Sequence, residues 1–240
     1  MKKIFPLLTF ILAGLGVFAQ DTKVIEDRNA QKRPVQAFHA IAISGGIDLY
    51  LSQSDAEAVA VSASDIGFRD RIITSVDKGV LHIYIDNKGF NWRNWGDKHL
   101  KAYVSCKTLD ELKASGGSDV YIQDPLRSEG LNLNLSGGSD LRGKMNIGEL
   151  AITMSGGSDA YISGSATQLS VHASGGSDFH GYDLPADNCR IESSGGSDAY
   201  ITVNKELSAN ATGGSDIHYK GHGMVRESHT SGSGSITKKD

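Results

Sequence analysis

The chain is poor in cysteine and proline, carries no basic excess, and has no long apolar run beyond its first twenty positions. Two cysteines in 240 residues exclude a disulfide-stapled scaffold, so the core must come from packing. Four prolines against 29 glycines argue for a chain that turns often without being a rigid linker. A formal net charge of −4 leaves no basic footprint, and nucleic acid is not an expected partner. The one apolar run, Met1–Ala19 with Lys2 and Lys3 ahead of it and Val17-Phe18-Ala19 at its end, reads as a secretory signal. Its removal would leave no transmembrane span. Residues 20–37 are polar and aperiodic, the pattern of a flexible lead-in.

What the chain does have is one phrase, Ser-Gly-Gly-Ser-Asp, over and over. It stands at 115–119, 136–140, 155–159, 174–178 and 194–198, and recurs as Thr212–Asp216, at steps of 21, 19, 19, 20 and 18 residues. A near-constant period of this length marks a repeat architecture. Before each copy, Leu112, Leu133, Ile152, Val171, Ile191 and Ala209 form one apolar column, with polar residues between it and the next. After each copy, Val120, Leu141, Ala160, Phe179, Ala199 and Ile217 point one way, and Tyr121, Arg142, Tyr161, His180, Tyr200 and His218 the other. This alternation predicts β-strands with one buried face, and the glycine pair between them fits a corner.

Identical corners favour a parallel stack in which each residue lies over its equivalent, about 4.8 Å away. The expected fold is therefore all-β: a right-handed parallel β-helix of about 19–20 residues per coil. A coil twice as long with two like corners is the alternative. Size compensation supports dense packing, because Leu141 and Phe179 are followed two places on by Gly143 and Gly181, whereas Val120, Ala160 and Ala199 are followed by Ile. Residues 38–236 form the single domain, 38–114 as irregular coils and 115–236 as regular ones, with 237–240 as a tail. In the irregular part, Ser44-Gly45-Gly46-Ile47-Asp48 is a variant of the phrase, and Val59–Ala63, Ile72–Val76 and Val80–Ile85 read as strands. Cys106 and Cys189 lie four coils apart, far beyond the roughly 7 Å reach of a disulfide, and read as buried fillers.

The leader, the Ser-Gly-Gly-Ile-Asp phrase at 44–48, and the tandem coils ending in Ser233-Gly234-Ser235-Ile236 resemble the putative auto-transporter adhesin, head-GIN domain family, found largely in Bacteroidetes. The resemblance spans roughly residues 38–236. It implies a fold like the pectate-lyase-type β-helices and a role in cell adhesion.

Two columns could carry chemistry. Stacked carboxylates at Asp48, Asp119, Asp140, Asp159, Asp178, Asp198 and Asp216 either bind corner backbone groups or hold calcium between neighbours. The outward column Tyr121, Arg142, Tyr161, His180, Tyr200 and His218 either stacks on itself or offers a glycan platform, to which Trp92 and Trp95 could add. No catalytic residues and no metal ligands are assigned. The acids recur in every coil, His218, His222 and His229 lack a zinc spacing, and no nucleophile elbow or phosphate loop is present. The expectation is an exported, non-enzymatic binding or adhesion module in the periplasm, at the outer membrane or outside the cell. Its partner would be a surface glycan or an envelope protein. A polysaccharide lyase or hydrolase and a calcium-stabilised structural protein are the alternatives.

Overall fold

The computed structural model describes residues 27–88 and 98–240. The signal segment and Trp92 and Trp95 lie outside them. Short alternating runs pair first into an irregular end. Its elements are β1 (Gln31–Arg33), β2 (Ala40–Ser44), β3 (Asp48–Gln53), β4 (Ala58–Ser62), a one-turn helix α1 (Ile66–Arg69), β5 (Ile72–Asp77), β6 (Val80–Ile85) and β7 (Lys101–Cys106). From β8 (Glu111–Ser115) and β9 (Val120–Ile122) onward the regular stack begins. It runs through β10 (Leu126–Ser136), β11 (Leu141–Ser155), β12 (Asp159–Ala173), β13 (Asp178–Ser193), β14 (Asp198–Gly213), β15 (Asp216–Lys220), β16 (Met224–Gly232) and β17 (Ser235–Lys238).

Every pairing from β8 to β17 is parallel, and the result is a β-solenoid of about seven turns. Ser136 sits on Ser155 and Leu141 on Ala160, so one motif makes one coil and the double-length alternative falls. Within a coil the in–out alternation breaks where the chain bends, as at Arg142-Gly143-Lys144 and Gly148-Glu149, where successive residues stay outside the core. Differences in coil length are taken up at these bends: register slips between Gly181 and Pro185, and again between Ala186 and Asn188.

The irregular end is not a simple run of early coils. β2 lies between β6 and β8, and β3 between β7 and β9. The phrase at 44–48 therefore stacks directly under that at 115–119, although the two lie far apart in sequence: the Ile47 amide donates to Ser118 Oγ at 3.1 Å. Antiparallel pieces close this end, β5 against β6, β4 against β7, and β1 against β4. Within the described part of the lead-in, residues 31–33 pair with the edge of β4, which supplies hydrogen bonds that a free segment would lack, and Asp27 accepts a 2.9 Å bond from the Tyr103 hydroxyl on β7.

One continuous core runs the length of the stack, with Val120, Leu141, Ala160, Phe179, Ala199 and Ile217 fully buried. The size compensation is physical. A Cβ on Gly143 would fall 2.4 Å from Ile122 Cβ, and one on Gly181 would fall 2.5 Å from the Phe179 ring. Both cysteines are free and buried, and burial pushes their thiols up to about 11 for Cys106 and about 12 for Cys189.

Candidate functional site

The corner comes first, because it aims both columns. The first glycine of each phrase has positive φ, from 66° to 86° between Gly45 and Gly213, and a Cβ on Gly175, Gly195 or Gly213 would meet the carbonyl oxygen of the corner below at 2.8–2.9 Å. Only glycine satisfies both the dihedral and the approach. The inner serine, from Ser118 to Ser215, is completely buried. Its hydroxyl serves the turn in two ways at most corners: Ser139 accepts from the Ser118 amide, whereas Ser197 and Ser215 donate to carbonyls of their own corner and the coil below; the Ser177 hydroxyl is buried without a partner.

The aspartate that follows faces out and forms a ladder. Oδ1 of Asp119, Asp140, Asp159, Asp178 and Asp198 each accepts the amide N–H of the next aspartate up, at 3.0–3.3 Å, and Asp216 accepts the Ser235 hydroxyl at 2.6 Å. One carboxylate oxygen per rung is thereby committed to backbone. Asp48 and Asp159 sit above the ordinary carboxylate range, first through burial and then through repulsion from their neighbours, Asp119 for the one and Asp140 and Asp178 for the other. Among the described residues no cluster of three or more metal-ligating side chains forms.

Two places beyond each aspartate runs the aromatic column, and it is longer than the sequence suggested. Tyr103 stacks on Tyr50 and Tyr50 on Tyr121, each at 5.2 Å. Arg142 then lies with its guanidinium 4.4 Å from the Tyr161 centroid and 3.3 Å from Asp140 Oδ2. Above it Tyr161, His180 and Tyr200 are nearly coplanar in orientation, 4.3 and 5.1 Å apart with 5° between planes, and Tyr200 meets His218 at 5.1 Å. Each such contact contributes on the order of 0.5–1 kcal/mol. Burial, aided in each case by nearby aspartates, raises the phenols of Tyr50, Tyr121 and Tyr200, so they stay protonated. The mutual-stacking reading therefore describes the column, and a consequence follows for ligands: ring faces are spent on one another, leaving edges and hydroxyls outward.

Beside the column a cleft of about 760 Å³ opens over Gly143, bounded by Lys144, Ser163 and Asp183 and by Tyr161, His180 and Tyr200. Tyr182 forms a wall at 72° to Tyr200, with Lys220 Nζ 4.6 Å from its ring centroid. Tyr50, Tyr103 and Tyr182 were missed from sequence. Tyr50 was within reach, since it stands two places after Asp48 like every other member. Tyr103 carries no phrase of its own, and Tyr182 enters only through a bend.

The family described as putative auto-transporter adhesin, head GIN domain, matches residues 37–223. Among solved structures, a putative adhesin from Bacteroides fragilis superposes with a TM-score of 0.78 at 20% identity, covering 88% of this chain and 96% of its own. A putative lipid binding protein from Parabacteroides distasonis gives 0.67 at 22% identity, covering 89% and 98%. A putative adhesin from Parabacteroides merdae gives 0.66 at 20%, covering 88% and 96%. At these identities the likeness is one of fold. No curated protein matches.

Proposed function

The chain belongs to the family of putative auto-transporter adhesins with a head GIN domain, and on that premise we propose that it is an exported, non-enzymatic adhesion module that presents one solenoid face to glycans of the cell envelope. The observation that carries this reading is the cleft over Gly143, where tyrosine edges, a lysine and a carboxylate converge on a rigid stack. Sugars are recognised by hydrogen bonds to planar polar groups beside apolar surface, and this cleft supplies both. The acids support a binding role over a catalytic one: each rung's aspartate performs the same backbone duty, whereas hydrolysis or elimination needs two unlike groups at one place.

The test is a glycan array and envelope-fraction pull-down with the mature chain, beside Tyr161→Phe, Tyr200→Phe and Asp183→Asn. The phenylalanine variants keep the ring stack and remove only the outward hydroxyls. Loss of binding by about tenfold per hydroxyl with unchanged melting is expected; an array indifferent to all three variants would refute the site. Turnover on acidic or neutral polysaccharides would instead favour the enzyme reading. Melting that falls on chelation would favour calcium between the aspartates.

A further inference from the structure

We propose that the cleft over Gly143 selects a zwitterionic sugar, one that carries an ammonium and an anionic group on opposite sides of its ring, with Lys144 facing the anion and Asp183 the ammonium. The inference rests on the cleft being the glycan site and names the class of sugar it takes.

One wall of the cleft is a departure from the repeat. Gly181 and Pro185 pair with Ile201 and Thr202, which are adjacent, so Tyr182, Asp183 and Leu184 have no counterpart on β14. Against β12 the register slips at the same place. The surplus is accommodated by a bulge: Gly181 and Leu184 are buried, whereas the consecutive Tyr182 and Asp183 both lie outside the core. Bulges of this kind re-aim side chains. This one is braced, because Thr202 Oγ1 donates to the Tyr182 carbonyl at 2.8 Å and Lys220 Nζ lies 4.6 Å from the Tyr182 ring centroid. Asp183 is thereby carried on a fixed protrusion beside the tyrosines.

The charges around the cleft are otherwise committed. Arg142 lies 3.3 Å from Asp140, Lys205 lies 2.9 Å from Asp187, Lys220 covers Tyr182, and the ladder aspartates accept backbone amides. Lys144 and Asp183 are the exceptions. Both are exposed and both line the cleft, and neither has a hydrogen bond or ion pair among the described residues. Lys144 pairs in register with Ser163 on the next rung, and Asp183 is carried one rung beyond that. Two rungs set their backbones about 10 Å apart along the stack, which leaves space for one sugar ring between the two charged groups. A neutral sugar would desolvate both charges without pairing either. A sugar with one charge would satisfy one and leave the other facing it uncompensated. A zwitterion answers both, and the order of its charges fixes its direction in the cleft.

NMR titrations of the mature chain with three probes test this. Glucosamine 6-phosphate carries both charges across the ring, N-acetylglucosamine 6-phosphate lacks the ammonium, and glucosamine lacks the anion. The first should bind about tenfold more tightly than either of the others. Lys144→Gln should erase the preference over glucosamine and keep that over N-acetylglucosamine 6-phosphate; Asp183→Asn should do the reverse. A folding defect cannot produce that crossed pattern. Equal affinity for the three probes, no saturable binding of glucosamine 6-phosphate, or variants that keep both preferences would each overturn the proposal. Neutral glycans that bind the wild type and are lost in Tyr161→Phe and Tyr200→Phe, with no charge preference among the probes, would leave the cleft as a glycan site and sink this inference alone.

Discussion

At the residue scale the two corner glycines are not equivalent. Gly175 has φ of 78° and its absent Cβ faces the Gly156 oxygen at 2.8 Å, whereas a Cβ on Gly176 would stay 3.7 Å from that atom. Gly175→Ala should cost about 2 kcal/mol, from the left-handed dihedral and the clash, and Gly176→Ala only a few tenths. Urea melts of the two variants check the contrast. The chain already carries a serine at the second position of the last corner, Ser233, whose amide bonds the Gly213 carbonyl as Gly176 bonds Gly156.

The aspartate ladder gives a pH dependence with a definite sign. A carboxyl whose folded pKa lies above its unfolded value binds its proton more tightly when folded, so its contribution is greatest in acid and is lost as pH rises through the folded pKa. Asp48 and Asp159 are of this kind. Asp159→Asn keeps an oxygen for the Asp178 amide and removes the repulsion. It should melt at or above the wild type at neutral pH, with the gap closing as pH falls through the raised Asp159 range. Asp159→Ala, which orphans that amide, should melt lower at every pH. Thermal melts of the three proteins as a function of pH decide it.

At the element scale, adjacent strands are matched by volume. Gly143 exists because Ile122 occupies the space on the neighbouring rung. Gly143→Ala should destabilise by about 1–3 kcal/mol through overpacking, and Ile122→Ala should recover part of that loss in the double variant. A coupling energy near zero in the cycle would mean that the two residues do not share the space. The same logic explains why the rings stack in two runs, Tyr103–Tyr50–Tyr121 and Tyr161–His180–Tyr200–His218, on either side of Arg142. Parallel register brings each outward ring within about 5 Å of the next, and rings at that distance stack before they bind anything else.

At the scale of the whole molecule, each coil touches only its neighbours, so stability is a sum along one dimension and opening starts at the ends. The two ends should differ in hydrogen exchange, because β4 and β5 add antiparallel pairings beside β7 and β6 whereas every residue of β16 is exposed. Amides of β16 and β17 exchange first, those of β12 and β13 last, and those of β6 and β7 lie in between. Hydrogen-exchange mass spectrometry checks the order; β16 amides protected as long as those of β12 would refute it.

The period, the buried columns, the glycine corner and the one-strand-in-one-face alternation were all legible in the amino-acid sequence, because each repeats locally and every copy restates the same packing problem. The strands at 58–62, 72–77 and 80–85 were also readable, from alternation alone. What the tertiary structure decided is everything that depends on which strand lies beside which. β2 sits between β6 and β8 across long stretches of chain, Tyr103 and Tyr50 extend the ring column, and each Asp carboxylate spends one oxygen on the rung above. Local periodicity fixes the direction in which a side chain points. Only the winding of the coils fixes what it points at, and that depends on contacts between residues too far apart in sequence for any repeat to record.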